Sequence, residues 1–354
     1  MIKFLDLHDQ YMSIKHEVDE AISNVISNTS FIGGEHLQTF EKEFADFQNS
    51  KFCLGVGNGT DALEIALEAL NLPINSEIIV PANSFIASSE AVTRTGHKVV
   101  FCDVDKDDYT IDTTDVENKI TKNTSAIIAV HLYGHPCNMD VIQNISKKFN
   151  LKIIEDASEA LGSYYRGRHL GTFGQIGVIS FNGNKIITTG GGGIVITNNK
   201  VLANKVRHLS NVAKIYKKHE TEHDIVAFNY KMPNINAVLG IAQLENLKKF
   251  INFKRNLFIK YKKNLSKFKD IIVFKEPPNG KSNYWLQTLI INSNFKNLKK
   301  ELFKFANKEG VAIRSAWTLM HKNKYLKRFP KMDLSNANKI QKLIINIPSS
   351  YFRN

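Results

Sequence analysis

The chain has 354 residues, of which 43% are hydrophobic, and a formal net charge of +13 at pH 7. This length suffices for a sizeable core and for two domains. No apolar run is long enough to cross a bilayer, and Met1–Glu20 alternates charged with apolar residues rather than forming a signal peptide, so we expect a cytoplasmic protein without membrane insertion.

The cysteines exclude two classes of small stabilised fold. Cys53, Cys102 and Cys137 are widely spaced, odd in number and without a CxxC pair. This pattern argues against a disulfide framework and against a zinc site, and we expect three buried thiols.

The positive charge raises nucleic-acid binding as an alternative function. Much of the lysine excess lies late, in Lys214–Lys218, Lys248–Lys269 and Lys296–Lys308. In the second of these segments the apolar residues recur at helical spacing and leave the lysines to the other faces, which is typical of a solvated helix. No helix-turn-helix, zinc-finger or RNA-binding signature accompanies them, so we expect no specific nucleic-acid partner.

In chain order, helical periodicity comes first, over Tyr11–Val25 and Leu37–Phe47, with a turn at Phe31–Gly34. Apolar strands then alternate with helical segments as far as about residue 198, which predicts a mostly parallel sheet covered by helices. The predicted strands are Phe52–Val56, Glu77–Val80, Lys98–Cys102, Ala126–His131, Leu151–Ile154, Val178–Phe181 and Gly193–Thr197.

A phosphate-binding turn is predicted after the first of these strands, within Lys51–Leu72. Free backbone N–H groups at Gly59, Thr60 and Asp61 would face an anion, helped by the helix dipole and by the Thr60 hydroxyl. The spacing also fits the dinucleotide fingerprint weakly, but no acidic residue ends the next strand. Neither glycine run is followed by Gly-Lys-Ser/Thr, so a Walker-type loop is excluded.

Two further residues carry chemistry. Asp156 follows the strand Leu151–Ile154 at the sheet edge where ligands bind, although it can equally be the N-cap or first-turn acid of a helix over Ala157–Leu161. Lys185 lies in a glycine-rich loop between two buried strands, where desolvation lowers the pKa of an amine; the alternative is an ordinary solvated lysine. Pyridoxal phosphate needs a lysine and a carboxylate, and these two residues can supply both.

Other candidates come from strand ends and from histidine spacing. Phe85 follows the second strand, which adds to the clustering of cofactor candidates at one edge. His131 and His135 have metal-binding spacing on a helix, but they lie on a strand followed by a Gly and Pro turn, so we expect no metal. His131 and Tyr133 are better placed to line the pocket, although a structural histidine is an equal alternative.

The pattern changes beyond Asn229 and predicts a smaller α+β domain. The predicted elements are a long helix over Ile235–Leu265, strands at Ile271–Phe274, Trp285–Ile291 and Val311–Ser315, and a helix at Leu298–Glu309. We therefore divide the chain into an α/β domain over residues 1–234 and an α+β domain over residues 235–354. Arg314 is a candidate phosphate or carboxylate ligand through its fork geometry, with surface pairing as the alternative.

Taken together, the motifs resemble the DegT/DnrJ/StrS family of pyridoxal-phosphate-dependent nucleotide-sugar aminotransferases, which has the fold type I architecture. The matching stretches occur in the family's order over nearly the whole chain: FLDL, GVGNGTDAL, VPANSFIAS, HLYGHPCNMD, EDASEALGS, SFNGNKIITTGGGG and NYKMPNINAVLGIAQL.

The resemblance implies roles for individual residues. Lys185 is the Schiff-base lysine and Asp156 the partner of the pyridinium nitrogen, while Phe85 stacks on the ring. Gly59, Thr60 and Ser180 hold the phosphate, and Asn229 reaches the phosphate of a neighbouring subunit's cofactor, so the enzyme is a homodimer with a shared active site. The segment Arg314–His321 resembles the one that approaches the sugar nucleotide, which makes Arg314 and His321 substrate candidates. Tyr133 is a third substrate candidate, because its position favours lining the pocket.

The chain departs from the family pattern at two positions. Glu159 stands where many members have Gln or His near the ring hydroxyl, but is similar to the subgroup that makes 4-amino-4,6-dideoxy sugars. Lys231 replaces the usual arginine of the NYR stretch. The resemblance implies transfer of an amino group from L-glutamate to a nucleotide-linked 4-keto-6-deoxy sugar for surface polysaccharide, with C3 amination of a 3-keto sugar as the alternative.

Overall fold

The computed structural model describes residues 1–292 and 297–352, so Lys296 of the last lysine-rich segment lies outside the described residues. The strands, numbered in chain order, are β1 Phe52–Val56, β2 Glu77–Pro81, β3 Lys98–Cys102, β4 Thr124–Val130, β5 Lys152–Asp156, β6 Tyr164–Tyr165, β7 Arg168–His169, β8 Ile176–Ser180, β9 Gly193–Thr197, β10 Lys214–Tyr216, β11 Thr221–His223, β12 Ile271–Val273, β13 Gly280–Lys281, β14 Gln287–Ile291, β15 Arg314–Ser315 and β16 Ile344–Ile347.

Helices alternate with these strands along much of the chain. They are α1 His8–Met12, α2 Lys15–Ser27, α3 Glu35–Gln48, α4 Gly59–Leu70, α5 Ala87–Arg94, α6 Thr113–Lys119, α7 Met139–Phe149, α8 Lys200–Ser210, α9 Asn234–Glu245, α10 Leu247–Leu265, α11 Leu298–Lys308 and α12 Ser335–Leu343. The predicted helix over Tyr11–Val25 is broken at Ser13 and Ile14, between α1 and α2. Likewise, the predicted helix over Ile235–Leu265 is two helices that meet at Asn246.

A seven-stranded sheet in the order β1-β9-β8-β5-β4-β2-β3 forms the centre of the molecule. Strands β2, β3, β4, β5 and β8 are mutually parallel, and β9 runs antiparallel to both of its neighbours. The predicted mostly parallel sheet is therefore confirmed. Its strands are apolar on both faces because helices cover both, as the near-continuous burial of Ile153, Ile154, Val178 and Ile179 shows.

Helix α4 ties the sheet to the phosphate turn. Its apolar side chains, Leu63, Ile65 and Leu67 among them, are at most 1% exposed and pack against β8 and β9. Truncating such a residue to alanine leaves a cavity and costs about 2–5 kcal/mol of unfolding free energy. At its N-terminus, a Cβ on Gly193 would overlap the Asn58 carbonyl oxygen, so the first residue of β9 must be glycine for α4 to begin where it does.

A second, antiparallel sheet in the order β12-β14-β16-β15 lies in the C-terminal part of the chain. Leu289, Ile291, Ile345 and Ile347 form its buried face under α10 and α11. Neither α12 nor β16 was predicted from the sequence. The Met1–Asp6 segment joins this part of the molecule, since the Ile2 N–H donates to the Gly310 carbonyl at 2.7 Å. A boundary between residues 234 and 235 stays a prediction.

The remaining expectations concern cysteines, metals and membranes. Cys53, Cys102 and Cys137 are free and buried, as predicted. Within residues 1–292 and 297–352, no group of three or more His, Cys, Asp and Glu side chains is arranged to hold a metal ion. Across the same ranges, no helix has both the length and the apolar character needed to cross a membrane.

Candidate active site

A cavity of about 740 Å³ opens where the parallel strands end. Val130, Asp156 and Ser180, the last residues of β4, β5 and β8, lie in its wall. Because parallel strands present their carboxyl ends at one edge, side chains far apart in sequence meet here. The predicted site residues that line the cavity are Gly59, Thr60, Phe85, Asp156, Glu159, Ser180, Lys185 and Arg314.

Lys185 extends into this cavity from the loop that joins β8 to β9. Its amide N–H donates to the Asn182 carbonyl at 3.0 Å, which shapes the loop into a turn. Burial lowers the pKa of the Lys185 amine, while the carboxylates of Glu159 and Asp156 oppose that shift. Because only 14% of the Lys185 side chain is exposed, the structure excludes the solvated-lysine alternative. The direction of the pKa shift is the one expected from the sequence.

Asp156 ends β5 with its carboxylate toward the cavity. Its Oδ2 accepts a hydrogen bond from the Ser88 hydroxyl at 2.7 Å, and its Oδ1 accepts one from the Ser158 N–H at 3.2 Å. The residues after it form turns, so the alternative of a helix over Ala157–Leu161 is wrong. An ionised carboxylate has about four acceptor positions, which leaves capacity for a ligand N–H.

Glu159 is the carboxylate nearest to the lysine. Its Oε1 lies 3.9 Å from Lys185 Nζ, and its Oε2 accepts the Tyr133 N–H at 2.6 Å. Burial raises the pKa of Glu159 to about 7, against the opposing effects of Lys185 and of the Tyr133 N–H. Near neutral pH this carboxyl group can therefore hold or release a proton beside the amine.

The phosphate turn lies between β1 and α4, as predicted, but one of its N–H groups has an unexpected partner. Helix α4 begins at Gly59, and a Cβ on Gly59 would come within 2.8 Å of the Ser180 Cβ and 3.4 Å of the Ser158 Oγ. The Asp61 N–H was expected to be free to face an anion. In the structure it donates to the Asn58 side-chain oxygen at 2.9 Å. The anion cradle therefore consists of the start of α4 and the hydroxyl groups around it.

Aromatic side chains form the upper wall. Phe85 lines the cavity, is 50% exposed, and makes a T-shaped contact with Trp317 at 5.7 Å between ring centroids. Trp285 lies beneath Lys185, with 4.3 Å from Nζ to the ring centroid. Both tryptophans come from the C-terminal part of the chain and were not predicted as site residues.

Three predicted residues lie outside the cavity wall. Tyr133 is 1% exposed and packs behind Trp317, and His321 packs against Phe101. Neither side chain lines the cavity, and their roles as substrate contacts stay predictions. Asn229 is exposed beside the hairpin of β10 and β11, so within one chain it does not reach the cavity. Its predicted contact with a neighbouring subunit's cofactor stays a prediction.

Glu155, the residue before Asp156, has a structural role and does not line the cavity. Glu155 is fully buried, and its carboxylate accepts N–H groups of Gly171, Phe173 and Gly174 at 2.5–2.8 Å. His131 Nδ1 accepts the Cys137 N–H, so its Nε2 carries the proton and donates to Glu155 at 3.1 Å. Of the two alternatives for His131, the structural histidine is the correct one.

Comparison with known proteins decides the family. The family model of DegT/DnrJ/EryC1/StrS aminotransferases matches residues 12–351. The chain belongs to this family. The predictions of fold, of a sugar-nucleotide aminotransferase and of pyridoxal phosphate as its cofactor are thereby confirmed.

Individual members of the DegT/DnrJ/EryC1/StrS family are similar over most of the chain. A GDP-perosamine synthase from Escherichia coli O157:H7 is 42% identical over 257 residues, which are 73% of this chain and 70% of that protein. A dTDP-3-amino-3,4,6-trideoxy-alpha-D-glucose transaminase from Streptomyces venezuelae is 35% identical over 70% of this chain and 64% of its own length. The structure of S. venezuelae DesV in complex with a ketimine intermediate has a TM-score of 0.92, with 29% identity, and the match covers 98% of this chain and 93% of DesV.

The cavity of this family member fits the cofactor. Its floor offers an amine, Lys185, and a carboxylate with spare acceptor capacity, Asp156. At the start of α4, a Cβ on Gly59 would lie 2.8 Å from the Ser180 Cβ, so the backbone of Gly59 and the side chain of Ser180 lie close together in the cavity wall. Phe85, which is 50% exposed, adds an aromatic ring to the same cavity wall. These are the groups that a phosphorylated pyridine aldehyde requires.

Several cavity residues escaped the sequence analysis. Ser158 was detectable, because its hydroxyl follows the strand-end Asp156 by two residues in the EDAS stretch. Arg94 lies in the cavity wall at the end of α5 and donates to Glu64 at 2.9 Å, and no local motif indicates it.

Lys231, which replaces the family arginine, has its Nζ 3.5 Å from the position of a Cβ on Gly33.

Proposed function

We propose that the protein transfers the amino group of L-glutamate to C4 of a nucleotide-linked 4-keto-6-deoxy sugar. The observation that carries the proposal is the convergence of Lys185, Asp156 and Glu159 in one cavity. The C4 position is supported by the 42% identity to a GDP-perosamine synthase and by the glutamate at position 159. The product serves surface polysaccharide.

When bound, pyridoxal phosphate supplies an electrophilic carbonyl and a ring that accepts electrons. Lys185 Nζ takes the proton from the amino acid Cα and later returns one to the sugar carbon, since burial favours its neutral, basic form. Asp156 keeps the ring nitrogen protonated, while Ser88 and the Ser158 N–H hold its carboxylate in place. Glu159 holds a proton next to Lys185 Nζ.

Binding and shielding fall to the other walls. Gly59, Thr60, Ser158 and Ser180 hold the phosphate, and Phe85 stacks on the ring. Arg314, exposed at the cavity rim with its guanidinium over the Phe4 ring, binds the phosphates of the sugar nucleotide. In a homodimer, Asn229 would complete the phosphate site of the neighbouring subunit, and we place the enzyme in the cytoplasm.

C3 amination is the second candidate, because the Streptomyces venezuelae relative is named as a 3-amino-sugar transaminase. The test is incubation with L-glutamate and matched 4-keto- and 3-keto-6-deoxy sugars carried on GDP, dTDP and UDP. The position of nitrogen in the product is read by NMR with 15N-labelled glutamate. We expect nitrogen on C4. Nitrogen on C3 would refute the C4 assignment, and no transfer to any keto sugar would refute the acceptor class.

A further inference from the structure

Trp285 approaches Lys185 from the C-terminal part of the chain. Its indole N–H donates to the carbonyl of Asn184, the residue before Lys185, at 2.7 Å. Its ring lies under the Lys185 ammonium, 4.3 Å from Nζ to the centroid. One buried side chain therefore contacts both the backbone of the lysine loop and the amine itself.

A neighbouring residue extends this contact to Glu159. The side chain of Asn283 donates to the carbonyls of Glu159 and Leu161, each at 2.9 Å, and its oxygen accepts the Trp285 N–H at 2.8 Å. Residues 283–285, which we call the 283–285 clamp, therefore hold the turn that carries Glu159 and the loop that carries Lys185. The relative position of the Glu159 carboxyl group and the Lys185 amine depends on this segment.

The clamp is itself held firmly from behind. Lys254 is 4% exposed, and its ammonium donates to the Trp285 carbonyl at 3.2 Å and to the Ser349 carbonyl. Tyr284, between the two clamp side chains, has a φ of 49°, in the left-handed region that is uncommon for a bulky residue. Such backbone conformations persist only where the surroundings enforce them, and they concentrate at functional sites.

We propose that Trp285 is a positioning residue for Lys185: its indole N–H fixes the loop, and its ring holds the ammonium beside Glu159. The proposal rests on the proposed function, in which Lys185 moves the proton. A ring face stabilises a cation, so it opposes the burial that favours the neutral amine. Besides the ring, the carboxyl groups of Glu159 and Asp156 act on the amine, and they favour its charged form.

The first test measures the reactivity of Lys185 in cofactor-free protein. Acetic anhydride labels neutral amines, and the labelled Lys185 peptide is quantified by mass spectrometry from pH 6 to 10, relative to exposed Lys51. Below the pKa of Lys185 we expect Trp285→Leu to be labelled about two- to five-fold faster than Trp285→Phe, which keeps a ring face. Trp317→Phe is the matched control for lost aromatic volume: Trp317 stacks on Trp285 at 6.4 Å between ring centroids, but the Lys185 ammonium lies over the Trp285 ring.

Two results would overturn the role of the ring. One is equal labelling in wild type, Trp285→Phe and Trp285→Leu, each shown to be folded by its thermal transition. The other is an equal increase in Trp317→Phe, which would mean that any loss of aromatic volume opens the cavity. The pH dependence separates a changed amine from a merely loosened one, since loosening accelerates labelling equally at every pH.

The second test concerns the loop hydrogen bond and uses only the milder variant. Trp285→Phe removes the N–H donor to Asn184, so amides of residues 182–185 should exchange hydrogen about two- to ten-fold faster than in wild type. Unchanged exchange there would contradict the positioning role, even if Trp285→Leu does not fold. Neither test uses pyridoxal phosphate, so a failure of the proposed function shows separately, as a wild-type protein that does not bind the cofactor.

Discussion

Two walls of the cavity differ in how they are built. The strand-edge wall, made of Gly59, Thr60, Phe85, Asp156, Glu159, Ser180 and Lys185, comes from residues that follow strands of the central sheet. The C-terminal wall, made of Trp285, Arg314, Trp317 and Asn346, comes from segments around the second sheet, with Phe4 from the N-terminus. The first wall carries the groups that suit the cofactor, and the second carries aromatic and cationic groups that suit a sugar nucleotide.

Among variants that keep Lys185, the largest effect should come from Asp156 in the strand-edge wall. Asp156→Asn removes the charge that keeps the ring nitrogen protonated, and we expect kcat to fall about 10²- to 10³-fold, as when one preorganised electrostatic contact is lost. Glu155→Gln is the matched change on the neighbouring residue. It should lower the free energy of unfolding by about 1–3 kcal/mol, because a buried acceptor of backbone N–H groups is weakened.

Kinetics and denaturant unfolding of the two variants decide this prediction. An Asp156→Asn variant with wild-type kcat would contradict the catalytic role of Asp156. A Glu155→Gln variant as stable as wild type would contradict the structural role of Glu155.

The pH dependence of stability sharpens the account of Glu159. Burial raises the pKa of this carboxyl group from 4.5 to about 7, so between these pH values the folded state keeps a proton that the unfolded state has lost. Wild-type stability should therefore fall as pH rises from about 4.5 to 7, relative to Glu159→Gln, by up to about 3 kcal/mol. Urea unfolding of cofactor-free protein at pH 4.5 and pH 7.5 measures the difference. A difference that does not change with pH would contradict the raised pKa.

The phosphate cradle predicts a smaller effect on cofactor affinity. In Gly59→Ala the new methyl group would lie 2.8 Å from the Ser180 Cβ, so the cradle must widen and the Kd for pyridoxal phosphate should rise about ten-fold or more. Gly191→Ala is the control, because the nearest atom to its Cβ is 3.9 Å away. Cofactor titration of both variants is the measurement, and equal affinities would argue against a tight fit at Gly59.

Arg314, in the C-terminal wall, should affect the substrate and not the cofactor. Arg314→Ala should raise the KM for the sugar nucleotide about ten-fold through loss of charge-assisted hydrogen bonds to phosphate, with cofactor affinity unchanged. Arg328→Ala is the matched control, since Arg328 is also exposed and also rests on an aromatic ring, Phe329, outside the cavity. If Arg314→Ala weakens cofactor binding instead, the division between the two walls is wrong.

The same division explains what could be predicted from the sequence. The strand-edge residues come just after apolar runs in the sequence, so the local pattern indicates Asp156 and Lys185. Parallel strands end at the same edge of the sheet, and this brings the two residues together. Ser180 and Phe85 gain their roles from the family resemblance at similar places. The Asp61 N–H was assigned to the ligand because Asn58, a residue type preferred at the N-cap, was not considered as a competing acceptor.

The C-terminal wall could not be predicted because its residues act through distant contacts. Trp285 was read as the start of a strand, but β14 begins at Gln287, and the indole instead turns to the Asn184 carbonyl, 101 residues away in sequence. Tyr133 and His321 were assigned as substrate contacts from nearby motifs, and tertiary packing places both behind the wall. Helix breaks at Ser13 and at Asn246 were missed because no proline or glycine marks them.

The central claim is that Lys185 in this cavity carries the amino-transfer chemistry, and a visible absorbance titration tests it most directly. Wild-type protein with pyridoxal phosphate should develop a yellow band that bleaches on addition of L-glutamate, and Lys185→Ala, with an unchanged thermal transition, should show neither the lysine-linked band nor turnover. A Lys185→Ala variant that retains full activity, or a wild-type protein without a band at saturating cofactor, would contradict the account.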